Sequence, residues 1–115
     1  MSAPLALSLM ASLAAAVTST AVTRITYPQH QPDVAMVEMA ATAVCGNQAK
    51  WTKSARAEGG ILIVTFTLHG SRCASGEQPR DLTYTAALNL RGELSRLGLA
   101  PGNATLKVET AQSIR

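Results

Sequence analysis

The stretch that decides the fold spans residues 48–69 and reads QAKWTKSAR (48–56), AEGG (57–60) and ILIVTFTLH (61–69). Within 48–56, alternate positions carry hydroxyl and cationic side chains, and after the apolar run at 61–63 large apolar residues alternate with threonine and histidine through residue 69. Successive side chains of a strand point to opposite faces, so the pattern predicts two strands joined by a tight glycine turn. One side of this ribbon is apolar, and the other offers hydrogen-bonding and partly cationic groups.

The length of the chain, 115 residues, indicates a single domain with one modest core. Its aromatic content is 3%, so packing relies on leucine, valine, isoleucine and alanine. The net charge of +3 mildly favours an anionic partner. The two cysteines, Cys45 and Cys73, form no CxxC motif and have no histidine at metal-ligand spacing. They are expected to pair in an exported chain and to stay reduced in the cytosol, and the sequence leaves both states open.

Residues 1–23 carry no charged side chain and fit two interpretations. The apolar run at 5–17 suits a signal peptide or a membrane anchor, with a small-residue cleavage site at 14–16. However, no lysine or arginine precedes the run, and serine and threonine recur within it. Alternation at 5–10 and β-branched residues at 17–26 favour a hairpin over residues 5–27 instead.

The segments before and after the ribbon have less regular sequence patterns. Two prolines and their polar neighbours predict a loop at residues 27–33. Residues 34–44 fit a helix capped by Asp33 as well as they fit a strand. The sequence CGN at 45–47 predicts the end of that element, and residues 71–80 form a long polar loop.

Residues 82–91 give the cleanest strand pattern of the chain, with an extension through Leu97 and a bulge at Gly92. Asn103 is a candidate cap for a final short helix. The predicted fold class is α+β: an N-terminal β-hairpin, an antiparallel sheet of about five strands and a short C-terminal helix. The predicted boundaries within a single domain, residues 1–115, are hairpin 5–27, sheet 34–98 and helix 103–114.

The three predicted strands with the clearest alternation, at 48–56, 61–69 and 82–91, would place their polar side chains on one surface. Its members are Lys50, Thr52, Ser54, Arg56, Thr65, Thr67, His69, Thr83, Thr85, Asn89 and Arg91. A solvated sheet face needs polar residues in any case, but an idle face usually mixes signs, and this set contains cations and no carboxylate. Hydroxyls and amides beside arginine and lysine suit phosphates and base edges. Lys53 points to the opposite, covered side, and the pattern does not explain why.

Nothing in the sequence indicates catalysis. The seven acidic residues are scattered, with no carboxylate pair, no glycine-rich phosphate loop and no HExxH motif. His30 and His69 are expected to be ordinary polar residues, and nothing orients either of them toward a cysteine. We therefore expect a non-enzymatic protein without a metal or a cofactor.

The alternation Lys-x-Thr-x-Ser-x-Arg at residues 50–56 resembles the RNA-facing strand of coat proteins from single-stranded RNA bacteriophages, the leviviruses. Other segments resemble that family in matching order. They are 5–9 and 26–28 (first hairpin), 58–60 (the central turn), 71–80 (the long loop), 88–90 (the last long strand) and 103–114 (the first C-terminal helix). The resemblance implies that Asn89 touches a base and that the C-terminal helix crosses onto a partner subunit.

The function implied by the resemblance is that of a structural capsid protein. Its homodimers would tile an icosahedral shell in the virion, be assembled in the cytoplasm of a bacterial host and contact single-stranded genomic RNA. Dimerisation also follows from burial, because a sheet with one apolar face and one short helix cannot cover itself. The predicted RNA-binding residues are Lys50, Thr52, Ser54, Arg56, Thr65, Thr67, Thr85, Asn89 and Arg91. The alternative is a membrane-anchored or exported bacterial subunit, pilin-like, with an apolar N-terminal helix and a Cys45–Cys73 bridge.

Overall fold

The computed structural model describes residues 19–99 and 105–114. Within these ranges the elements are β1 (Ser19–Thr26), β2 (Val34–Glu58), β3 (Ile61–Ser71), β4 (Arg80–Asn89), α1 (Leu90–Arg96) and β5 (Thr105–Ile114). All strand pairs are antiparallel except that of β5 with β3. The predicted sheet-dominated α+β fold is confirmed. The first strand of the predicted hairpin and the candidate cap Asn103 lie outside the described residues.

Strand β2 is 25 residues long and belongs to two sheets. Its first half pairs with β1 and β4, and its second half pairs with β3. Between the halves Ala43 and Gly46 adopt positive φ angles of 55° and 99°, and the pairing registers shift. Such irregularities bend a strand. Residues 34–44 are therefore a strand, and the prediction that residues 45–47 end it is wrong, because the chain bends there and stays extended.

The bend brings the two halves of β2 into two layers that share a core. Val37 and Met39 of the first half are buried in one cluster with Val64 and Phe66 of β3. The hydroxyl of Thr20 in β1 also donates to that of Thr110 in β5 across 3.1 Å. We call β1, residues 34–44 and β4 the first layer, and residues 45–58, β3 and β5 the second layer. Removing the apolar faces of both sheets from water drives this arrangement.

The ribbon predicted from residues 48–69 is present in the second layer. Glu58 pairs with Ile61, so only Gly59 and Gly60 connect β2 to β3. Both glycines have positive φ angles, 54° and 80°, as a type I′ hairpin turn requires. The tight glycine turn thus fixes the register in which the two strands present their side chains.

The extension of the fourth strand through Leu97 is wrong. Strand β4 ends at Asn89, whose side-chain oxygen accepts the backbone N–H of Gly92 at 3.0 Å and caps α1. Asparagine is a strong helix N-cap because this bond satisfies a donor that the first helical turn leaves open. The alternating pattern alone did not reveal this capped helix, since Leu90 and Leu94 suit a strand as well as a helix.

The predicted C-terminal helix is also wrong for the described residues, since Thr105–Ile114 form β5 parallel to β3. Leu106 and Val108 align with Leu62 and Val64 and pack against the core. A helix of about three turns is marginal in water, whereas the strand gains a backbone ladder and buries its apolar parity. Within residues 19–99 and 105–114, no helix has the length and hydropathy that crossing a membrane requires.

Candidate nucleic-acid interface

The outer side of the second layer carries the polar parity of the ribbon. The register pairs Lys50 with His69, Thr52 with Thr67 and Ser54 with Thr65, so these six side chains share one side of the sheet with Arg56. Cross-strand partners in an antiparallel pair point the same way. We call these seven residues the ribbon face. Seven of the eleven residues predicted to form one polar surface are therefore adjacent in the structure.

The alternate side chains of β3, on the opposite face of the strand, explain why the ribbon face points outward. Leu62, Val64, Phe66 and Leu68 are all buried between the layers. A one-residue change of register would exchange these residues with the threonines, so burial of the apolar parity fixes the orientation. On the exposed side, Thr52 Oγ1 and His69 Nε2 share a hydrogen bond of 2.7 Å.

Strand β5 extends this outer side and adds a carboxylate to it. Glu109 aligns with Thr65 in the parallel register and accepts a hydrogen bond from Arg56 Nη2 at 3.2 Å. Glu58, at the end of β2, accepts from Arg56 Nε at 2.8 Å. The prediction of a carboxylate-free surface is therefore wrong, because the acidic residue of β5 was assigned to a helix.

The two carboxylates determine the electrostatics of the ribbon face. The hydrogen bond with Glu58, assisted by its charge and by Glu109, raises the pKa of the Arg56 guanidinium, which stays protonated at any physiological pH. Lys50 is exposed and forms no ion pair with any described residue. Lys107 aligns with Ile63 and adds a third cation to this side. Three cations against two carboxylates leave a small positive excess.

The remaining predicted residues lie elsewhere. Strand β4 pairs with the first half of β2 and not with the ribbon, so Thr83 and Thr85 lie opposite Ala40 and Glu38 on the outer side of the first layer. The ribbon face and these threonines are thus on opposite sides of the two-layer molecule. The predicted single surface is therefore wrong.

Asn89 and Arg91 are also separated from the ribbon face. Asn89 caps α1, and Arg91 forms an ion pair of 3.2 Å with Asp33 in the loop before β2. Neither residue stands beside Lys50 or Arg56. The reason is the strand order, because the sequence pattern assigned faces correctly within 48–56, 61–69 and β4 but did not give the neighbours of β4.

A cluster that the sequence did not indicate lies on the inner side of β2. Lys53 Nζ approaches Glu93 Oε2 of α1 at 3.0 Å, and Arg96 contacts the other carboxylate oxygen. The Glu93 side chain is only 2% exposed. This ion pair explains why Lys53 points to the covered side. The available signal was an acidic residue among Leu90, Leu94 and Leu97, which pack against the core.

The two cysteines lie at the bend of β2. Cys45 and Cys73 form a disulfide with a Cα–Cα distance of 5.0 Å. Beside it, the Glu77 carboxylate accepts backbone N–H groups of Ala74 at 2.8 Å and Gly46 at 3.0 Å. These hydrogen bonds, first that from Ala74, lower the pKa of Glu77 below its usual value. The loop after β3 is therefore attached to the bend both covalently and through a charged hydrogen-bonding group.

Comparison with known proteins gives no assignment. No family model, curated protein or solved structure matches the chain. In the part of the chain that the structure describes, no three histidine, cysteine or acidic residues are close enough to hold a metal ion. The ribbon face, the disulfide and the ion-pair cluster are therefore the features that bear on function.

Proposed function

We propose that this chain is a structural subunit that contacts single-stranded RNA through its ribbon face and assembles with copies of itself into a virion shell. The observation that supports this proposal is the register of β2 and β3. It places Lys50, Thr52, Ser54 and Arg56 beside Thr65, Thr67 and His69 on one outward side. The resemblance to levivirus coat proteins assigns RNA contact to the alternation at residues 50–56 within this set.

The chemistry of the ribbon face suits phosphates more than bases. Threonine and serine hydroxyls donate to phosphate oxygens, and Lys50 supplies a charge that no described carboxylate neutralises. Arg56 already donates to Glu58 and Glu109, so most of its charge is neutralised and only its remaining N–H groups can reach a phosphate. Each subunit therefore binds RNA weakly, and a shell gains affinity from its many copies.

Assembly would use the edges of the sheets. Among the described strands, β5 pairs only with β3, and residues 45–58 of β2 pair only with β3. Unpaired backbone groups at a sheet edge are a template for pairing with another chain. We propose that a second copy joins there, in place of the helix exchange that the resemblance implied, since Thr105–Ile114 are a strand.

A second candidate is an exported bacterial subunit, and the Cys45–Cys73 bond favours it. Disulfides persist in oxidising compartments and are rare in the cytosol, where the proposed shell would assemble. In this alternative the apolar run at 5–17 directs export, and the two-layer sheet is the mature domain.

Expression of the full chain without detergent separates the two functions. The shell proposal expects a sedimenting particle that is visible by electron microscopy, contains RNA and has the intact N-terminus. Recovery of a small oligomer without nucleic acid contradicts this proposal. Recovery from the periplasm, with a mature N-terminus after Ala16 and no free thiols, establishes the exported alternative.

Filter binding of single-stranded RNA to the assembled protein tests the role of Arg56. Glu109→Gln releases one arm of Arg56, so we expect RNA affinity to rise about threefold, as is typical of a surface charge interaction. Glu38→Gln removes the same charge from the outer side of the first layer and should leave affinity unchanged. Equal effects of both variants would show only a net-charge response.

A further inference from the structure

An open pocket of about 310 Å³ lies where α1 approaches the inner side of β2. It is lined by Lys53, Asn89, Gly92, Glu93 and Arg96. The pocket is distinct from the ribbon face, because Lys53 has the opposite parity to Thr52 and Ser54 and reaches Glu93 instead.

The pocket has more positive charge than its own carboxylate neutralises. Glu93 is 2% exposed and holds Lys53 Nζ on one oxygen, at 3.0 Å, and Arg96 on the other. Lys53 and Arg96 remain 41% and 68% exposed, so each keeps donors on the solvent side. An ammonium has three donors and a guanidinium has five, and one carboxylate cannot accept all of them. One positive charge and several N–H groups are left to face the pocket.

Asn89 and Gly92 complete the lining. The amide oxygen of Asn89 accepts the Gly92 N–H at 3.0 Å, which leaves the amide nitrogen as a further donor. A Cβ at position 92 would lie 3.3 Å from Asn89 Cγ and 3.4 Å from Nδ2, so a larger residue would crowd this amide. The glycine therefore keeps the amide edge open beside the two cations.

We propose that this pocket binds a phosphate group, either inorganic phosphate or the phosphate of a small phosphorylated molecule. The buried Glu93 carboxylate positions Lys53 and Arg96 on its two sides, and the phosphate completes their charge and hydrogen bonding from the solvent side. Bidentate donation by arginine and point-charge attraction by lysine suit a tetrahedral oxyanion. The Asn89 amide adds a neutral donor to the same pocket. This site does not depend on RNA binding by the ribbon face.

The test is a titration of ¹⁵N-labelled full-length protein with inorganic phosphate, with ionic strength held constant by sodium chloride. We expect saturable shifts of the Gly92 backbone amide and the Asn89 side-chain amide with a millimolar dissociation constant. At tenfold that concentration the Tm should rise by about 4–6 °C, because only the folded state binds. Absence of a saturable shift in the wild-type protein would overturn the proposal.

Variants separate a binding site from a structural ion pair. Arg96→Gln should weaken phosphate binding at least tenfold, and Arg96→Lys should restore some of the affinity. Arg91→Gln is the matched control, since this neighbouring cation of α1 pairs with Asp33 and does not line the pocket. Equal weakening by Arg96→Gln and Arg91→Gln would overturn the assignment, because it would indicate a general charge effect.

Parallel titrations identify the source of the phosphate. Equal affinities for inorganic phosphate and ribose 5-phosphate support a site for the phosphate group alone. A higher affinity for ribose 5-phosphate supports a small phosphorylated ligand. Amide shifts that occur only with a single-stranded RNA oligonucleotide would contradict the proposal and assign the pocket to the RNA interface.

Discussion

Substitution of Lys53 by methionine tests the energetics of the buried ion pair. Methionine keeps the apolar stem that crosses the inner side of β2 and removes only the charge. Complete loss of a partner from a buried charge costs about 3–5 kcal/mol. Lys53 is 41% exposed and Arg96 still contacts Glu93, so both facts reduce that cost. We expect Lys53→Met to lower the free energy of unfolding by about 2 kcal/mol.

The double variant Lys53→Met/Glu93→Leu distinguishes a lost attraction from a stranded charge. Replacing both members of a buried pair by apolar residues is often neutral or stabilising. Leu94 and Leu97 already pack beside this position, so a leucine at position 93 has apolar neighbours. We expect the double variant to regain at least half of the lost stability.

Urea denaturation at pH 7 measures these differences. With a slope of about 1.5 kcal/mol/M, a loss of about 2 kcal/mol lowers the midpoint by roughly 1.3 M. Lys50→Met is the matched control on the ribbon face and should stay within about 0.5 kcal/mol of the wild type. If Lys53→Met behaves like Lys50→Met, or if the double variant is less stable than the single one, Glu93 does not become an uncompensated buried charge when Lys53 is lost.

Three further predictions concern the bend of β2. Cys45→Ala/Cys73→Ala should lower stability by about 3–4 kcal/mol in urea denaturation, because the bond closes a loop with a sequence separation of 28; a loss below about 1 kcal/mol would contradict this. The pKa of Glu77 is lower in the folded state than in the unfolded state. Its ionised carboxylate therefore stabilises the folded protein above the unfolded pKa, and this stabilisation is lost as the pH falls through the folded pKa. Glu77→Gln should therefore be less stable than wild type at pH 7, with a difference that shrinks as the pH falls, and a difference that stays constant on acidification would exclude an ionic cause. Gly46→Ala should lower the Tm more than Gly59→Ala, since a Cβ at 46 would lie 3.2 Å from Ser71 Cβ whereas a Cβ at 59 would meet nothing within 4 Å. Equal decreases in Tm would contradict a role for this close contact.

The sequence predicted the ribbon well because its signals are local. Alternation at residues 48–69 determined which side chains share a face, and Gly59-Gly60 determined the turn, and both agree with the register of β2 and β3. The same kind of alternation correctly placed Thr85 on the exposed face of β4 and Leu88 on its buried face. The sequence therefore predicted a continuous portion of the candidate site correctly.

Apart from the helix that the local cap Asn89 starts, the errors have a common cause, since they depend on contacts between distant residues. The bend at Ala43 and Gly46 changes the neighbours of β2, so β4 joins the first layer while the ribbon lies in the second. The stability of Thr105–Ile114 as a strand comes from β3, and the same residues read as a short helix when considered alone. The partner of Lys53 is 40 residues away in a helix that the alternating pattern hid.

The most direct test of the proposed function is the salt dependence of RNA binding by Lys50→Ala and Arg24→Ala. Lys50 lies on the ribbon face, and Arg24 pairs in register with Glu38 on the outer side of the first layer. Each phosphate contact to a single strand contributes about 0.7 to the slope of log affinity against log salt concentration. We expect Lys50→Ala to reduce the slope by about 0.7 and Arg24→Ala to leave it unchanged. An unchanged slope for Lys50→Ala, or equal reductions in both variants, would contradict RNA contact through the ribbon face.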